Sequence, residues 1–180
     1  MSNSRWFQKE MLQAFPLAHM MRKVFPETWL RIHSLPESKR YPENKTDEAI
    51  ILEKYARFGT ALLGEKSHCS ILQTRFIGFP RSADLLPELD WQQIHRINID
   101  ENDSWNSWSA PLIWDPIFFE MQFLEIANRR EANIAFLSND TDCVFIPYDG
   151  GADGFSFDAK LIKRLSEEFA PWRSNHPLGL

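Results

Sequence analysis

The clearest periodicity along the chain lies between Asn44 and Gly64. Ile51, Tyr55, Phe58 and Leu62 recur at helical spacing and build one apolar face. Asn44 or Thr46 caps the start, Asp47 and Glu48 suit its positive end, and Gly64 stands where a left-handed closing residue is wanted. A second helix is expected from Pro116 to Arg130. Asp115 is its cap, and Ile117, Met121 and Leu124, with Phe118 alongside, form its apolar stripe. A third starts at the cap Asp158, runs through Ile162, Leu165 and Phe169, and ends at Pro171. Near the N-terminus, Trp6, Met11 and Phe15 fall near helical spacing before Pro16, and a short helix fits Leu17 to Val24.

Strand-like runs lie between these helices. They cover Thr28 to His33, Ser67 to Ile77, Trp91 to Ile99, Ala110 to Trp114, Asn133 to Leu137 and Cys143 to Tyr148. The polar stretch Ser138 to Asp142 is hairpin material, so the last two runs pair antiparallel. Ser34 to Lys45 and Gly78 to Leu89 read as proline-bearing loops. Asp100 to Ser109 reads as a turn or irregular edge, and Gly150, Gly151 and Gly154 loosen the chain after Tyr148. No fixed-period repeat and no linker appear. The expectation is a single α+β domain over residues 1–180. A mostly antiparallel sheet is packed by three main helices, at 46–63, 116–130 and 158–170. Residues 1–24 form an N-terminal helical segment and 172–180 a C-terminal tail.

Charge narrows the function classes. Lys and Arg number 20 against 25 Asp and Glu, for a net charge of -5. Nucleic-acid binding needs a basic field to displace counterions, so no nucleic-acid partner is expected. Apolar runs are too short to cross a membrane, and Lys9 and Glu10 interrupt any secretory-type stretch, so a cytoplasmic location is expected. Cys69 and Cys143 have no partner at metal-ligand spacing. They read as packed thiols, and no metal or cofactor is expected.

Two polar segments carry the candidate chemistry. The first, Arg31 to Tyr41, gathers Arg31, His33, Lys39 and Arg40 beside Ser34 and Ser38, against the single acid Glu37. Guanidinium forks and ammonium groups hold carboxylate or phosphate, and imidazole exchanges a proton near neutral pH. The plain alternative is a solvated loop whose cations pair with neighbouring acids. The second segment, Tyr148 to Asp153, sets two carboxylates around Gly150 and Gly151 at a strand end. Such a pair does acid–base work, or simply caps a sharp turn. The donor count is too low for a calcium loop.

With Trp172, His176-Pro177 and Gly179-Leu180, these strings resemble a bacterial family of cytosolic proteins that carries a domain of unknown function. The resemblance runs from about residue 25 to the end. It implies that the two polar segments belong to one construction, and it brings no activity with it.

Three readings follow. In the first, the chain is a non-enzymatic protein-binding module, of the kind that acts as an immunity protein or inhibitor. It would present an exposed acidic or aromatic patch to another protein. In the second, it binds or converts a small anionic substrate. Arg31, Ser38, Lys39, Arg40 and Tyr148 would hold the anion, His33 would move a proton, and Asp149 or Asp153 would be its partner. In the third, Arg31 or Arg40 is a structural partner of Asp149 or Asp153. Oligomeric state is left open by the sequence.

Overall fold

The computed structural model describes residues 5–7, 14–98 and 104–173. Most of the helix expected over Trp6 to Phe15, and the motif residues His176, Pro177, Gly179 and Leu180, lie outside them. Among the described residues seven strands form one sheet: β1 (Trp29–His33), β2 (His68–Phe76), β3 (Gln92–Asn98), β4 (Ser104–Ile113), β5 (Ile134–Ser138), β6 (Val144–Tyr148) and β7 (Gly151–Phe155). Their order is β1-β7-β6-β5-β2-β4-β3, and every pairing is antiparallel. The helices are α1 (Ala18–Val24), α2 (Lys45–Leu63), α3 (Glu120–Ala127) and α4 (Ala159–Glu168). The α+β class and the antiparallel sheet expected from the sequence are what the chain adopts.

Helix α2 follows its periodicity closely. The Asn44 side chain accepts from the Asp47 amide at 3.0 Å, and Gly64 closes the helix at φ 90°. Ile51, Tyr55, Phe58 and Leu62 are all buried. They pack with α3, α4 and the sheet residues Ile32, Ile71, Phe136, Phe145 and Ala152. On the other face of the sheet, Leu72, Ala135, Leu137, Val144, Ile146 and Phe155 meet Trp6, Phe15 and Met21 of the N-terminal segment. Strand β5 is therefore buried on both faces, which is why it reads as an unbroken apolar run.

Two strands depart from the sequence expectation. The stretch read as a turn before Ala110 is the first half of β4, a ten-residue strand. Its polar residues are tolerated because β4 is paired on both sides, to β2 and β3. Its Ser107 hydroxyl also meets Thr74 at 2.9 Å in the interior. The glycine-rich stretch after Tyr148 is β7, held between β1 and β6. Helix α3 starts at Glu120, not at Pro116. Asp115 caps the preceding turn instead, accepting from the Ile117 amide at 3.2 Å.

Candidate functional site

The two polar segments meet, because β1 and β7 pair antiparallel with Arg31 opposite Asp153 and His33 opposite Gly151. Alternation along β1 sends Leu30 and Ile32 into the α2 side of the sheet. Arg31 and His33 are left for the face that α1 covers. There Asp153, completely buried, receives Arg31 Nε at Oδ1 (3.1 Å) and Arg22 of α1 at Oδ2. Burial pushes the Asp153 carboxyl up, and the two guanidinium groups work against that shift. The Arg31 guanidinium also lies 5.4 Å from the ring centres of both Trp29 and Tyr148.

A second, more exposed arrangement surrounds Asp149. Arg40 Nε stands 2.9 Å and Arg129 Nε 3.7 Å from Asp149 Oδ2, and the Tyr41 hydroxyl donates to the same oxygen at 3.3 Å. Each aspartate of the turn is thus held by two arginines. Lys39 is engaged elsewhere: its ammonium lies 2.6 Å from Asp47 and 2.9 Å from Glu43. Lys39 in turn holds the Asp47 carboxyl below its ordinary range. Ser38 falls in the short 3-10 turn Pro36–Ser38.

His33 is half-buried, and its Nε2 is shielded from solvent without a hydrogen-bond partner. Burial lowers its pKa, and the charges of Arg31 and Lys54 lower it further, so the ring is neutral at pH 7. Lys54, from α2, donates to the His33 carbonyl at 3.0 Å. Burial of the Tyr148 ring, with Asp153 nearby, raises its phenol.

The turn joining β6 to β7 is fixed from below. Tyr55 of α2 shares its hydroxyl proton between the carbonyls of Tyr148 (2.6 Å) and Gly151 (2.9 Å). Complete burial pushes this phenol far up, so it remains a donor. Gly150 sits at φ 97°, a conformation that L side chains rarely adopt, and lets Arg40 lie across the turn. A Cβ on Gly151 would run into the Ile32 carbonyl oxygen and stand 2.9 Å from the Tyr148 hydroxyl. Gly151→Ala is therefore expected to push β1 from β7 and to destabilise the fold by about 1–3 kcal/mol. A shift in the urea midpoint checks it; an unchanged midpoint would show that the strands accommodate the methyl.

Sequence reasoning did not find Arg22, Lys54, Tyr55 or Arg129. Tyr55 carries a faint signal, being the one polar-tipped residue on an otherwise apolar helix face. Arg22 and Arg129 carry none, since only the fold brings α1 and the end of α3 to the turn. The cysteines are packed as expected: both are buried, and burial pushes the Cys69 thiol up to about 11.

A third feature lies on the helical layer. Phe119, Phe123 and Ile126 point inward, which leaves Ile117 (76% exposed), Phe118 (55%) and Met121 (71%) outside. The stripe expected to face the core is thus largely the outward one. Beside it runs an open groove of about 400 Å³ lined by Ala56, Thr60, Ala61, Pro116, Glu168 and Phe169, with Arg57 at its edge. Among the described residues, no group of three or more His, Cys, Asp or Glu is placed to hold a metal ion, and no helix is long and apolar enough to cross a membrane.

Residues 17–177 match the family model described as Domain of unknown function (DUF3885). No curated protein and no solved structure matches the chain.

Proposed function

We propose that this chain, which belongs to the DUF3885 family, is a non-enzymatic protein-binding module that docks a partner on the ridge of Ile117, Phe118 and Met121. That ridge carries the reading. Three large apolar side chains stand exposed within the five residues 117–121, although Phe119 among them, and Phe123 and Ile126 just beyond, are buried. An apolar cluster of this kind costs solubility unless something covers it. The open groove lined by Ala56, Thr60, Ala61, Pro116 and Phe169 adjoins the ridge at Pro116 and widens the apolar surface that a partner could cover. Exposed Glu120 on the ridge and Glu168 at the groove, in a chain of net charge -5, favour a partner with a basic surface around that anchor. An immunity-like or inhibitor role against a basic protein in the cytoplasm fits this complementarity.

The catalytic alternative has less behind it. Asp149 and Asp153 each spend their carboxylate on arginines, and neither is hydrogen-bonded to His33.

A photocrosslinking amino acid at position 121, in cells that produce the protein, tests the reading. A single dominant adduct to a basic protein is expected, lost in Ile117→Asp and absent when the crosslinker replaces exposed Phe79 instead. Identical adducts at both positions, or none at 121, would sink it.

A further inference from the structure

The Arg22–Asp153–Arg31 triad is not closed on itself. Two guanidinium groups face one carboxylate, so one positive charge is left over at a place where the acid is completely buried. Arg31 uses only Nε on Asp153, and Arg22 only one terminal nitrogen. Among the described residues the remaining N–H groups of both arginines have no protein acceptor, and none of these nitrogens is shut away from solvent. The Arg31 side chain is only 11% exposed and that of Arg22 25%.

The surroundings fit an anion. His33 lies on the same face of β1 and feels the positive fields of Arg31 and Lys54, in a chain that is acidic overall. Trp29 and Tyr148 supply flat walls within about 5.4 Å of the guanidinium carbon. Fixed guanidinium forks with spare N–H groups and a partly dehydrated setting bind carboxylate and phosphate oxygens well.

We infer that the mouth of this triad is a binding site for a small oxyanion, a carboxylate or a phosphate group, held by the outward N–H groups of Arg31 and Arg22 beside Trp29 and Tyr148. The site is separate from the apolar ridge of Ile117, Phe118 and Met121 and does not depend on it.

The probes are inorganic phosphate and benzoate, titrated into the full-length protein at low ionic strength. Calorimetry and the arginine Nε–H signals of an NMR spectrum are the readouts. One of the two is expected to bind saturably at one site, shifting the Arg31 Nε–H signal. Saturation by phosphate alone assigns a phosphate ligand, and by benzoate alone a carboxylate. Arg31→Lys keeps the charge next to Asp153 but removes the fork, and is expected to weaken binding about tenfold or more. Arg96→Lys, an exposed arginine of β3 at the edge of the sheet opposite β1, serves as a fold-neutral control expected to retain binding. Should Arg31→Lys fail to fold, Arg22→Lys takes its place with the same expected loss. No saturable binding of either probe, binding that leaves the Arg31 signal unmoved, or equal affinity in the lysine variant would each overturn the inference.

Discussion

Arg31→Met is expected to lower the stability of the fold by about 3–5 kcal/mol, the usual cost of removing one partner from a buried ion pair. The methionine fills much of the same space, so little of the loss is packing. What remains is Asp153, completely buried at the centre of β7 with only Arg22 to compensate it. Urea denaturation of the variant measures the loss. The double variant Arg31→Met with Asp153→Leu separates charge from shape: it is expected to recover most of the stability, because the fully buried carboxylate is gone and Arg22, a quarter exposed, turns its charge to solvent. If the single variant lost less than about 1 kcal/mol, the range of an exposed pair, the triad would count as a surface contact.

The second large effect is expected in the N-terminal segment. Trp6 is completely buried and stacks on Phe157 with ring centres 4.3 Å apart. Phe25 meets it edge-on at 5.4 Å, and its indole N–H donates to the Asp142 carbonyl at 2.9 Å. Trp6→Ala is expected to cost about 3–5 kcal/mol, as the transfer term adds to a cavity that these rings cannot collapse to fill. Calorimetric melting reads the loss directly. Trp6 lies outside the matched family region of 17–177. A small effect would therefore mean that the sheet face is held by the family region alone.

Acid response is expected to follow two half-buried histidines, His33 and His95. His95 approaches the Phe15 carbonyl through Nε2 at 3.0 Å, and its burial lowers its pKa below 6.5, as burial and neighbouring cations do for His33. The unfolded chain takes up these protons near 6.5 while the folded chain does not, so stability falls as pH drops below that value. Carboxylates held low by partners, such as Asp115 and Glu125, add a further loss only below their ordinary values of 3.8 and 4.5. The two windows are separate. Urea midpoints between pH 5 and 7.5 are expected to decline toward acid, with a shallower slope in His95→Gln. A flat profile there would contradict the partial burial of both rings.

What the sequence determined was local. Asn44, Gly64 and the 3.6-residue spacing of Ile51, Tyr55, Phe58 and Leu62 specify α2, because a cap and a single apolar stripe leave one answer. The 116–127 segment shows where that logic stops. It holds two apolar stripes, Ile117 with Met121 and Phe119 with Phe123, and spacing alone does not say which one a core will cover. The tertiary structure turned the second inward and so made the ridge. The stretch after Tyr148 shows the same limit from the other side. Its glycines look like loop residues, yet Gly151 is required by the close approach of β1. Its aspartates look like a free acid pair, yet each is enclosed by arginines that come from α1, β1, the loop after it and the end of α3. Short-range propensity acts over a few residues. Three of those four pairings join positions more than a hundred apart, and only the folded sheet brings them together.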